Sequence, residues 1–183
     1  TNNYSLAFDG SDDYVDLGDA QLMTTAGTVS AWVKLNATES ATIISKYRHS
    51  GENHREWQID LTSSNEPRMN AQTDGTYSSN NLATSSFALS TGTWYHICGT
   101  LSTTDKMKIY VDGVLKGTST SSLSKAMDDT AQNIMIGANN IPVAGFVNGN
   151  IDEVALWNTA LDGDSIKAIY NAGTPINLLN PLG

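Results

Sequence analysis

Charged residues are scarce, at 16% of the chain, and basic ones scarcest: 10 Lys and Arg stand against 19 Asp and Glu. The resulting net charge of −9 repels phosphate backbones, which argues against nucleic acid as a partner and favours cations such as Ca²⁺. A single cysteine, Cys98, rules out a disulfide within the chain, so packing must hold the fold. Cys98 lies in the apolar-flanked stretch Trp94-Tyr95-His96-Ile97-Cys98-Gly99, where a small buried hydrophobe is expected rather than a reactive thiol. No apolar run reaches membrane-spanning length and no leader peptide is visible, so membrane insertion is not expected. The polar opening Thr1-Asn2-Asn3 reads as a mature protein or a domain from a longer chain.

With 39% apolar residues over 183 positions, one sizeable core is available, and residues 1–183 read as a single domain. Alternation with period two dominates. Tyr4, Leu6 and Phe8 share one side of a first strand; Val29, Ala31, Val33 and Leu35 share one side of another. Ile43 to Arg48, Trp57 to Leu61, Arg68 to Gln72, Tyr95 to Leu101 and Met107 to Val111 continue the series. Asp112-Gly113 predicts a type I′ hairpin, because both residues tolerate positive φ, with Val114 to Gly117 returning. Ile134 to Gly137 and Gly149 to Trp157 complete it. One helix is expected near the end: Asp162 or Asp164 caps it, Ile166, Ile169 and Tyr170 form its apolar stripe, and Gly173 with Pro175 stops it. Many short strands, Gly-rich turns and no internal repeat predict an all-β sandwich or jelly roll.

Three ordered segments carry a family resemblance. They are Leu6-Ala7-Phe8-Asp9-Gly10-Ser11-Asp12-Asp13-Tyr14-Val15 with Thr28 to Lys34 following; Trp94-Tyr95-His96-Ile97 leading into Lys108-Ile109-Tyr110-Val111-Asp112-Gly113; and Gly149-Asn150-Ile151-Asp152-Glu153-Val154-Ala155-Leu156-Trp157. Together they resemble the laminin G-like jelly-roll domains of the concanavalin A-like lectin and glucanase superfamily, from about residue 4 to about residue 173. The resemblance implies a two-sheet antiparallel jelly-roll sandwich with one short C-terminal helix, one sheet being concave. It also implies an extracellular, cell-surface or virion-surface setting, within a larger chain.

Asp9, Ser11, Asp12 and Asp13 crowd one turn, and short carboxylates there suit a hard, oxygen-seeking cation. Carried over from relatives, a structural Ca²⁺ would sit between Asp9 and Asp152, with Asp12 and the Gly10 carbonyl as additions. The plainer alternative is that these residues only make turn hydrogen bonds and that Asp152 bonds the first strand. Sugar sites need aromatic faces and planar polar groups. Outward positions offer Trp32, Lys46, Arg48, Gln58, Asp60, Asn70, Gln72 and His96, and a loop carries Tyr77; of these Trp32, Arg48, Gln58, Asp60 and Tyr77 are the candidate ligand residues. Trp57 and Trp94 read as core. The bland alternative is a solvated polar face.

Catalysis by the superfamily's glucanases needs paired carboxylates on one strand face about 5–5.5 Å apart for retaining chemistry. Asp152 and Glu153 are adjacent and point oppositely; Glu56 and Asp60 share a face but lack a third acid. No nucleophile elbow, zinc motif or phosphate loop occurs, and His49, His54 and His96 are poorly spaced for zinc. The sequence thus points to a non-catalytic carbohydrate-binding or adhesive module recognising a glycan or surface polysaccharide. A protein-interaction domain without a sugar site is the first alternative, and a polysaccharide-degrading glycosidase or lyase the second.

Overall fold

A computed structural model describes residues 4–47, 55–73, 81–139 and 143–174. In chain order the strands are β1 (Leu6–Asp9), β2 (Val15–Asp19), β3 (Ala26–Leu35), β4 (Thr42–Tyr47), β5 (Arg55–Leu61), β6 (Pro67–Ala71), β7 (Leu82–Thr84), β8 (Trp94–Ser102), β9 (Lys108–Val111), β10 (Val114–Thr118), β11 (Asn133–Ile136) and β12 (Asn148–Trp157). Helix α1 (Gly163–Tyr170) and a 3-10 turn (Asn171–Gly173) follow. Two antiparallel sheets of six strands form a sandwich: β1-β12-β3-β8-β9-β10 and β2-β11-β4-β5-β6-β7.

The alternation builds the core. Val29, Ala31, Val33 and Leu35 of β3 face Trp57, Ile59 and Leu61 of β5 across the interior, and all are buried in one cluster with Ile97, Ile109 and Ile151. Full burial of each such side chain contributes about 1.5–3 kcal/mol, so this layer is the main stabilising element. The Asp112-Gly113 turn has φ of 51° and 71°, the two positive values a type I′ hairpin requires.

At α1, Asp162 is the N-cap, its Oδ1 accepting from Ser165 N–H at 2.8 Å. The helix ends at Tyr170, before Gly173, because Asn171 takes the left-handed conformation with φ 47°. Two strands escape the periodic reading. Sequence alternation in β2 is broken by Gly18 and by acidic residues, and Leu17 is exposed; β7 has only three residues. Trp94 is also not core but 37% exposed. It opens β8 opposite Lys34, whose ammonium lies over its ring at 5.4 Å, on the side of the sheet away from Ile97.

Candidate functional site

Inward apolar side chains leave each sheet an outer face. On the second sheet, Cα pairing places Ser45, Gln58 and Asn70 in one row and Thr42, Asp60 and Arg68 in the next. These polar groups form a bonded layer. Gln72 Nε2 donates to Asn70 Oδ1 at 2.8 Å, Asn70 Nδ2 to the Tyr47 hydroxyl at 3.4 Å, and Gln58 Nε2 to Asp60 Oδ2 at 3.3 Å. Arg68 donates from Nε to Asp60 Oδ1 at 3.1 Å and from Nη2 to Oδ2, a bidentate pair.

A cleft of about 250 Å³ opens beside this pair, lined by Ser40, Thr42, Asp60, Arg68, Asn139 and Gly145. Asn139 Nδ2 donates to Thr42 Oγ1 at 3.4 Å, while its Oδ1 is buried without a partner. Gln58 Oε1, two residues along β5 from Asp60, is buried and unpartnered as well. A buried acceptor without a donor costs about 1–3 kcal/mol, so such atoms mark where a hydroxyl or a water would be stabilised.

Gln58 and Asp60 therefore stand together, but Trp32 does not stand with them. β3 belongs to the first sheet, and Trp32 is covered there by α1, stacked on Tyr170 with ring centroids 5.8 Å apart and 5.5 Å from His96. Alternation tells which residues share a strand side; it does not tell which sheet a strand joins. Arg48 and Tyr77, like His49 and His54, lie outside the described residues.

Lys46, expected to point outward, is fully buried. The register shifts between Thr42 and Ile44, so that Ile44 rather than Ile43 pairs with Ile59 and Lys46 falls on the side of Ile44, opposite Trp57. Its ammonium is held by Asp19 Oδ1 at 2.8 Å and by Gln21 Oε1, Glu56 Oε1 and Asp129 Oδ1 at 3.2 Å each. Burial alone would lower the lysine pKa; these carboxylates outweigh it and hold it above the ordinary value. Burial pushes Glu56 up, and bonds from Thr130 and Lys46 only partly offset that. Glu56 and Asp60 are thus each engaged by a cation, Lys46 and Arg68 respectively.

The acidic turn also forms, with a different membership. Carboxylate oxygens of Asp9, Asp12 and Asp13 lie within 4.8 Å of one another, all three residues being exposed. Asp9 Oδ1 accepts from Ser11 N–H at 2.7 Å and from Asp12 N–H at 3.4 Å, while Asp13 Oδ2 accepts from Asp9 N–H at 3.0 Å. Gly10, at φ 81°, has Asn148 Cβ 2.8 Å from where its own Cβ would sit, so only glycine fits. Asp152 is elsewhere. Asp9 pairs with Asn148, four residues back along β12, which separates the two by roughly 13 Å of strand. Asp152 instead accepts from Glu153 N–H at 2.9 Å, beside a bulge in which Glu153 has φ 46°.

A laminin G family model, described as concanavalin A-like lectin/glucanases superfamily, matches residues 9–167. The chain belongs to this superfamily. No curated protein matches it in sequence. Among solved structures, the heptameric SAP-like pentraxin of Limulus polyphemus is similar with a TM-score of 0.70 and 16% identity, covering 90% of this chain and 80% of the pentraxin. Domain 4 of a GH43 extracellular arabinanase from Geobacillus stearothermophilus, solved with arabinotriose, gives 0.65 and 18%, covering 91% and 76%. A Bacteroides ovatus protein proposed to bind carbohydrate gives 0.66 and 17%, covering 88% and 45%. Identities this low establish a shared fold.

The outward polar layer lies on the sheet that α1 does not cover. Reading the sequence passed over Arg68 and Asn139. Arg68 carried a signal, since in Arg68 to Gln72 it alternates with Met69 just as Asp60 alternates with Ile59; Asn139 follows a strand end and carried none.

Proposed function

We propose that this chain is a non-catalytic carbohydrate-binding module whose ligand face is the outer side of the second sheet. One observation carries the reading: the cleft between Thr42, Asp60, Arg68 and Asn139, with the buried, unpartnered Asn139 Oδ1 on its wall. Planar amide, carboxylate and guanidinium groups fixed by one another are what orient sugar hydroxyls. Gln58 and Asp60 are the ligand residues on this face; Arg48 and Tyr77, which lie outside the described residues, are proposed as ligand residues with them. The arabinotriose-bound arabinanase domain supports the class of ligand through its shared fold. A cleft this small desolvates little of a polar ligand, so single-site affinity is weak and display in several copies raises it. An extracellular or surface setting within a longer protein accords with that use. Among the described residues no helix is long and apolar enough to cross a membrane.

A structural Ca²⁺ is assigned to the Asp9, Asp12 and Asp13 carboxylates with the Gly10 carbonyl. Three carboxylates offer the hard oxygen donors that cation takes. It would brace the β1–β2 turn.

A multimerised form of the chain on a glycan array, with calcium present, tests the main reading. Binding to at least one glycan class is expected; binding to none overturns it. A protein-interaction role is the second reading, favoured by a groove of about 890 Å³ between α1 and the β9–β10 hairpin. Val114 and Leu115 on its wall are 54% and 46% exposed.

A further inference from the structure

We propose that the second-sheet cleft takes neutral, hydroxyl-rich glycans and rejects sulfated and uronate-rich ones. This rests on the carbohydrate reading and specifies its ligand class. Among the described residues, Arg68 is the one cation lining the cleft, and its Nε and Nη2 both point into the Asp60 carboxylate. An anionic ligand that approached Arg68 would meet a guanidinium whose charge the Asp60 carboxylate already neutralises, with that carboxylate alongside. Lys46 on neighbouring β4 is no substitute, because four oxygens already hold its buried ammonium. The face thus has its positive charge internally neutralised, in a chain whose net charge is −9.

What the face offers is acceptors. Gln58 Oε1 and Asn139 Oδ1 are buried without partners. The Gln58 orientation is fixed by chemistry: its neighbour Asp60 is a carboxylate that only accepts, so the NH₂ end must face it and the oxygen must face away. Asn139 faces the Thr42 hydroxyl, which takes either end of an amide. A sugar hydroxyl supplies the donor these carbonyls lack. Ionised sulfate and carboxylate groups only accept, and would set acceptor against acceptor at Asn139 Oδ1 on the cleft wall.

Affinity electrophoresis of the intact chain separates the cases. The neutral panel is arabinan, xylan, galactan and β-glucan; the acidic panel is heparin, chondroitin sulfate and polygalacturonate, each at low and at physiological ionic strength. Retardation by at least one neutral polymer, insensitive to salt, is expected, with none by the acidic set. Asn139→Ala should weaken the neutral interaction about tenfold, the loss of one buried hydrogen bond to the ligand. Circular dichroism reports whether the variant keeps its fold. Salt-sensitive retardation by an acidic polymer, including one that Arg48→Ala removes, overturns the inference while leaving carbohydrate binding intact. A folded Asn139→Ala that binds its neutral polymer unchanged overturns the acceptor assignment. Retardation by no polymer overturns the carbohydrate reading, and this inference with it.

Discussion

The two outer faces of the sandwich start from the same six-stranded geometry and reach opposite chemistries. On the first sheet the outward row of β3, β8 and β9 holds Trp32, His96, Cys98 and Tyr110, and α1 closes over it with Ile166 and Tyr170. On the second sheet the outward row holds Ser45, Gln58, Asp60, Arg68 and Asn70, and these groups bond one another. Aromatic and apolar outward residues are stabilised by a covering helix, which removes their area from water. Amides and an ion pair are stabilised by hydrogen bonds, and keep acceptors to spare. Each arrangement leaves a residue of frustration. Under the helix it is His96, both of whose ring nitrogens are buried without a partner between the tilted rings of Trp32 and Tyr170. On the polar face of the second sheet it is Gln58 Oε1 and Asn139 Oδ1. The first is sealed in, whereas the Asn139 acceptor lies on a cleft wall.

The contrast can be broken most forcefully at Trp32. Trp32→Ala should cost about 3–5 kcal/mol in urea unfolding, as a large buried aromatic truncated beneath a helix. Glycan retardation at a temperature where the variant stays folded should be unchanged. A loss of binding with stability intact would return Trp32 to the ligand site.

Acid probes the same face. Burial pushes the His96 imidazole down from 6.5 to about 4. The unfolded chain takes up that proton from about pH 6.5 downward, and the folded chain refuses it until about pH 4. The associated stability is therefore complete above the upper value and is lost as pH falls through the window, by roughly 3 kcal/mol in total. Unfolding free energies across this range should fall more steeply for the native chain than for His96→Phe; equal slopes would place the imidazole in contact with water.

A smaller effect is expected where the hairpin meets the helix. Gly113 has φ 71°, and a Cβ there would lie 3.2 Å from Lys167 Cα and from the Tyr170 ring. Gly113→Ala should cost about 1–2 kcal/mol, chiefly from the left-handed backbone, with α1 displaced. A neutral result by thermal unfolding would mean that α1 rides loosely on its sheet.

Local features were legible in the sequence because their causes are local. The Asp112-Gly113 hairpin, the Asp162 cap and the inward row of β3 each follow from a few neighbouring residues. What failed depends on pairing across the chain. Trp32 and Gln58 both alternate outward, but no period says that β3 and β5 sit in different sheets. Asp152 and Asp9 lie in neighbouring strands, yet the register Asp9 to Asn148 sets them apart. Ahead of Lys46, the register shift between Thr42 and Ile44 changed the facing, so that a side chain read as solvent-facing became the centre of a buried ion cluster. Gln58 and Asn70 needed no such information beyond a shared sheet, and their common face could be read from alternation alone.

The central claim is that the polar second-sheet face, not the helix-covered first, receives the glycan. It is tested most directly by titrating the retarding neutral oligosaccharide into isotopically labelled protein and following amide shifts. Movement concentrated at Thr42, Asp60, Arg68 and Asn139, with Leu115, Lys167 and Tyr170 still, is the predicted result. Movement confined to Leu115, Lys167 and Tyr170 would contradict it.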